Sequence, residues 1–219
     1  MRESMKIKYI AWVLGSAALA AGLAGCASAP ASHYYSLMPE AVDAAPGQAA
    51  SAQASYTISV SPVQVPEQVD KPQIVLNEPD SAQVTPLGGY LWAAKLSEEV
   101  RSALADDLSR RLGALEAPPA NLAKDQGNWQ VNVKIQRFDS YYGNRAVLDA
   151  SWALTPHNIR GGRPAYCRAR ISVPVADGMS ALVKGHQDAL WKLSALIAGK
   201  IQPATAQDDI GELEFNRCT

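Results

Sequence analysis

Cysteine, histidine and phenylalanine are scarce in this 219-residue chain, at three, three and two residues. The histidines (His33, His157, His186) and cysteines (Cys26, Cys167, Cys218) show none of the paired spacings that tetrahedral zinc sites use. There is no Gly-x-Ser-x-Gly elbow, and the glycine pairs at 88 and 161 lack the lysine and helix context of a phosphate loop. Charge of one sign is also missing. The formal net charge is −1, and from residue 26 onward 17 Lys and Arg face 20 Asp and Glu, which argues against a nucleic-acid binder.

Long hydrophobic runs are absent except near the start. There Arg2, Lys6 and Lys8 precede an uncharged run from Tyr9 to Ala24. The run is shorter than the roughly 20 residues of a membrane span and ends in small residues, the pattern of a secretory signal rather than a core or transmembrane helix. It closes on Leu23-Ala24-Gly25-Cys26. That order resembles the bacterial lipobox, which makes residues 1–25 a lipoprotein signal peptide and Cys26 the first mature residue. Covalent diacylglyceryl and fatty acyl groups are expected on Cys26, and no other cofactor is expected. Each buried methylene contributes about 0.8 kcal/mol, so two or three chains anchor durably. Ala27 after the cysteine, by resemblance to enterobacterial lipoproteins, implies sorting to the outer membrane, on its inner leaflet, facing the periplasm. In that oxidising compartment Cys167 and Cys218 form a candidate disulfide closing a loop of about 50 residues, which stabilises by about 3 to 4 kcal/mol in the chain-entropy model. Two separate thiols are the alternative.

Residues 26–55 are rich in Ala, Ser, Gln and Pro and read as a lipidated flexible leash, about 30 Å on average as a coil, that lets the domain sit clear of the lipid. One island, His33 to Leu37, suits a short strand docking on the body. Residues 56–219 read as a single domain. Tyr56, Ile58 and Val60 alternate with polar neighbours as a half-buried strand, broken by Pro62 and Pro66. A hairpin is expected from Gln73–Leu76 and Ala82–Leu87, with Gly88 and Gly89 leading into a helix over about 93–112.

Trp129, Val131, Val133 and Ile135 start an antiparallel meander of three strands, the second presenting Leu148, Ala150, Trp152 and Leu154, and the third Cys167, Ala169, Ile171 and Val173. A second helix is expected over about 179–201. The remainder after it is a polar tail ending in Cys218. The fold class is therefore α+β, a mixed, largely antiparallel sheet with two helices packed on one face and the other face wet.

Catalytic candidates are weak. His33 lies in the leash and His157 in a turn, neither able to hold a base rigidly. His186, four residues from Leu182 and Leu190, reads as a partly buried structural histidine; a hydrolase would need an acidic partner for it. Asp106 and Asp107 point about 100° apart on their helix and read as solvated.

Several segments together resemble the ABC-type transport auxiliary lipoproteins, the paraquat-inducible C family: Tyr34-Tyr35-Ser36-Leu37, Asp70-Lys71-Pro72-Gln73-Ile74-Val75, Leu91-Trp92-Ala93, Leu108-Ser109-Arg110-Arg111-Leu112, Arg137-Phe138-Asp139, and the Leu148 to Leu154 stretch with Trp152. The leash over 41–55 looks long for that family, and Leu91 stands where a basic residue often precedes Trp. The resemblance implies a noncatalytic periplasmic component of an envelope lipid-transport system that maintains membrane integrity. Its partner would be a membrane-anchored protein carrying MCE domains, and homo-oligomers are compatible with it. Candidate partner contacts are Tyr141, Tyr142 and Arg145 at one turn and Tyr90 and Trp92 near another, because interfaces favour aromatics and Arg. A carrier with its own lipid or small-ligand cavity is the alternative function.

Overall fold

Alternation in the middle of the chain produces a long meander. In the computed structural model, which describes residues 31–38, 54–203 and 213–219, this meander is β5 (Asn128–Tyr141), β6 (Arg145–His157) and β7 (Ala165–Pro174), joined antiparallel. β2 (Thr57–Val60) adds in parallel beside β5, and β8 (Leu213–Cys218) adds antiparallel beside β7, giving the order β2-β5-β6-β7-β8. The β2 edge is sealed by residues 115–117: Ile58 N–H donates to Leu115 C=O and Ile58 C=O accepts from Ala117 N–H. The polar tail expected after the second helix is in fact β8, and it pairs with Cys218 opposite Cys167, to which it is bonded.

A second sheet corrects the single-sheet expectation. β1 (His33–Tyr35), β3 (Gln73–Asn77) and β4 (Val84–Trp92) are ordered β1-β4-β3, with β1 parallel to β4. The strand runs through Gly88 and Gly89 instead of ending there. The pairing shifts from Val75–Pro86 to Gln73–Leu91, so the segment holding both glycines bulges and the chain re-enters the ladder beyond it. The docked island is β1, as its aromatics suggested.

The helices are α1 (Leu96–Leu112) and α2 (Met179–Ile201). α1 begins three residues after the expected start. Lys95 makes no side-chain cap, and Asp70 supplies one from a distance, its carboxylate accepting the Ser97 N–H at 3.1 Å. α1 packs on α2 and β2, while α2 lies on β6 and β7. Close approach depends on Gly185, where a Cβ would stand 2.2 Å from Val175 Cγ1 and 3.3 Å from Ala146. One continuous core results, with Trp152, Leu37, Ile58, Ile74, Leu104 and Leu148 among its fully buried side chains. The fold is α+β, with two helices and mixed, largely antiparallel sheets.

Candidate docking surfaces and buried polar sites

Three of the segments that carried the family resemblance, those around Tyr35, Pro72 and Trp92, meet at the start of α1. Pro72 C=O accepts the Trp92 N–H at 2.7 Å, and Tyr35 C=O accepts the Ala93 N–H at 2.8 Å. Glu99, in the first turn of α1, accepts from Leu37 N–H at 2.7 Å and Ser36 Oγ–H at 2.9 Å. From α2, Gln187 Nε2 donates to the carbonyls of Ser36 and Met38, both at 3.1 Å. Leu37, 1% exposed, is thereby inserted into the core. This knot is structural: it satisfies buried backbone groups and ties residues 33–38 to both helices.

The predicted contact residues separate into two sets. At the β5–β6 turn, Gly143 takes φ +62°, which permits the tight reversal. It projects Tyr142, 48% exposed, and lays the Arg145 guanidinium over the half-buried Tyr141 ring at 4.6 Å. On β4, Tyr90 is half-buried between His33 and Tyr35, with ring centroids 5.4 and 6.3 Å away. Trp92 is 3% exposed and meets Phe138 and His186 edge-on. Its place is the core, because strand alternation turns it inward with Tyr35, and it leaves the contact set.

The face of the five-stranded sheet turned away from the helices holds a cluster the sequence reading did not single out. Asp149 is fully buried and accepts from Arg168 Nε and Nη2, both at 2.9 Å, and from Arg170 Nε at 3.0 Å and Nη2 at 2.7 Å. Burial alone would raise its pKa; the hydrogen bonds and charges of the two arginines outweigh that and hold it below the ordinary value. Phe215 lies within 5.5 Å of both guanidinium groups. The signal was present in the outward alternation of Arg168 and Arg170. Its partner Asp149 was hidden between Leu148 and Ala150, and Phe215 lay in the unrecognised β8.

Among the described residues His186 and Asp107 are also buried titratable groups. His186 is 1% exposed, more deeply buried than the partial burial expected. Its ring stacks on Phe138 at 4.0 Å, its Nε2 is 2.8 Å from Ser140 Oγ, and its Nδ1 has no partner. Desolvation lowers its pKa to about 3, so the ring is neutral. Among the described residues no acidic side chain is bonded to it.

Asp107 is 2% exposed, contrary to the solvated reading. α1 turns it toward α2, and desolvation raises its pKa to about 6 against the pull of Arg110, whose Nη2 is 2.7 Å away. It borders a groove of about 280 Å³ with Leu37, Arg110, Lys184, Gln187, Asp188 and Trp191. Among the described residues no His, Cys, Asp or Glu cluster is arranged to hold a metal.

The cysteines are joined as a Cys167–Cys218 disulfide. Cys26 lies outside the described residues. Among the described residues no helix is long and apolar enough to cross a membrane.

The profile of the family described as "ABC-type transport auxiliary lipoprotein component" matches residues 35–198. The chain belongs to this family. The matched span opens at Tyr35 in β1 and closes at Ala198 in α2, so it takes in both sheets' central strands and the knot around α1. Comparison with curated proteins returns no match. Two solved structures share the auxiliary lipoprotein's fold. One, an uncharacterized protein, has 24% identity and a TM-score of 0.61 over 78% of this chain and 99% of that one. The other, from Xanthomonas campestris, has 18% identity and a TM-score of 0.54 over 72% and 89%.

Proposed function

We propose that this auxiliary lipoprotein is anchored through acylated Cys26 to the outer membrane, faces the periplasm, and serves without catalysis as a docking component of an MCE-linked lipid transport system that maintains membrane integrity. The observation that carries the reading is membership of the transport auxiliary family over residues 35–198. The Leu23-Ala24-Gly25-Cys26 order supports the anchor, and the exposed Tyr142, next to Tyr141 with Arg145 over its ring, supports a protein contact at the β5–β6 turn. On this reading residues 1–25 are removed and the body following the leash acts as one domain.

A carrier function has less support. The grooves near Asp107, near Ser61 and near Lys192 all have charged side chains in their walls, unlike an apolar lipid cavity. The test is affinity purification of the acylated protein from envelopes, comparing wild type with Tyr142→Ser. Wild type is expected to recover an MCE-domain protein and the variant to recover at least several-fold less. Recovery of no envelope transport protein by wild type contradicts the reading.

A further inference from the structure

Docking of β1 changes what the leash can do. Only six residues, Ala27 to Ser32, separate Cys26 from the first strand residue, His33. An extended chain spans at most about 3.6 Å per residue, so Cys26 and His33 are at most about 25 Å apart. Roughly 5 to 7 Å of this is spent crossing the headgroup layer of a bilayer. A body of this size has a radius of gyration of about 16 Å. If Cys26 carries the lipid, β1 is held within about 18 to 20 Å of the headgroup surface, because the longer Ala- and Gln-rich stretch over 39–53 follows β1 and adds no reach.

The surface beside the tether suits that position. β1 is an edge strand of its sheet, and its side chains alternate across it. Tyr34, 67% exposed, projects on one face; on the other, His33 stacks on Tyr90 at 5.4 Å. Tyrosine rings with an apolar body and a polar tip are suited to headgroup depth. We infer that the β1 edge, with Tyr34 outermost and His33 and Tyr90 beside it, rests on the lipid surface that holds the anchor. The inference depends on the acylation of Cys26 put forward above. Ser36 to Met38 lie against α2, on the helix side of the five-stranded sheet, so the Arg168–Arg170 face is on the opposite side of that sheet from the tether.

The test is photocrosslinking of the acylated full protein in phosphatidylethanolamine and phosphatidylglycerol vesicles. p-Benzoylphenylalanine replaces the ring at position 34 or, as the opposite-face position, at 166, where Tyr166 is 55% exposed. Both sites are open, so folding is preserved, and intact mass first establishes the acyl groups. Lipid adducts are expected at position 34 at tenfold or more the yield at 166. Equal yields, or no adduct at 34 in acylated, vesicle-bound protein, overturn the inference. Absence of the acyl mass itself overturns the anchor reading and this inference with it.

Discussion

His186 and Asp107 are buried ionisable side chains whose effects on stability have opposite signs. For His186 the folded pKa of about 3 lies below the ordinary 6.5, so its contribution is present above pH 6.5 and is lost as pH falls toward 3. Wild type is therefore expected to lose about 3 kcal/mol more than His186→Gln between pH 7 and pH 4, read from denaturant midpoints at each pH. For Asp107 the folded pKa of about 6 exceeds the ordinary 3.8, so its contribution is present below pH 3.8 and is lost as pH rises through 6. Asp107→Asn is expected to remove about 2 kcal/mol of preference for pH 4 over pH 7 in the same measurement. Burial of these two groups was poorly legible in sequence. A helical stripe shows that position 186 adjoins an apolar face, but only the packing of β4 and β5 reveals that Trp92 and Phe138 enclose it. Both Asp106 and Asp107 read as solvated, but a helix turns adjacent residues about 100° apart, and only Asp106 stays half-buried while Asp107 is enclosed.

At the scale of elements, period-2 alternation and a helical stripe located β5, β6, β7 and α2 well, α2 to its end residues. β8 was missed because Leu213–Cys218 carries only two large apolar side chains and its burial is slight. Its attachment leans on the covalent bond to Cys167. Cys218→Ser is expected to lower stability by about 3 to 4 kcal/mol and to speed amide exchange in β8 more than in β6. Equal exchange in the two strands would show that backbone pairing alone holds β8. The extension of β4 through Gly88 and Gly89 was equally illegible, since glycine pairs usually signal a turn and only the docked β1 shows why the strand continues.

The whole molecule is organised around the knot at the start of α1, where residues 33–38, the 70–72 turn, the end of β4 and α2 are tied together by hydrogen bonds. Three of the segments that resembled the transport auxiliary family in sequence, 34–37, 70–75 and 91–93, help to build it, together with Glu99 and Gln187, and there is no catalytic group among them. The function proposed here needs a body held close to a membrane and a protein surface free to meet a partner; both follow from an anchor just ahead of β1. The most direct test is intact mass and membrane partition of the mature protein from its native envelope. The expected result is a chain beginning at Cys26, carrying diacylglyceryl and fatty acyl mass, and remaining with membranes after high-salt washing. A product that begins elsewhere, lacks acyl mass and washes free contradicts the account.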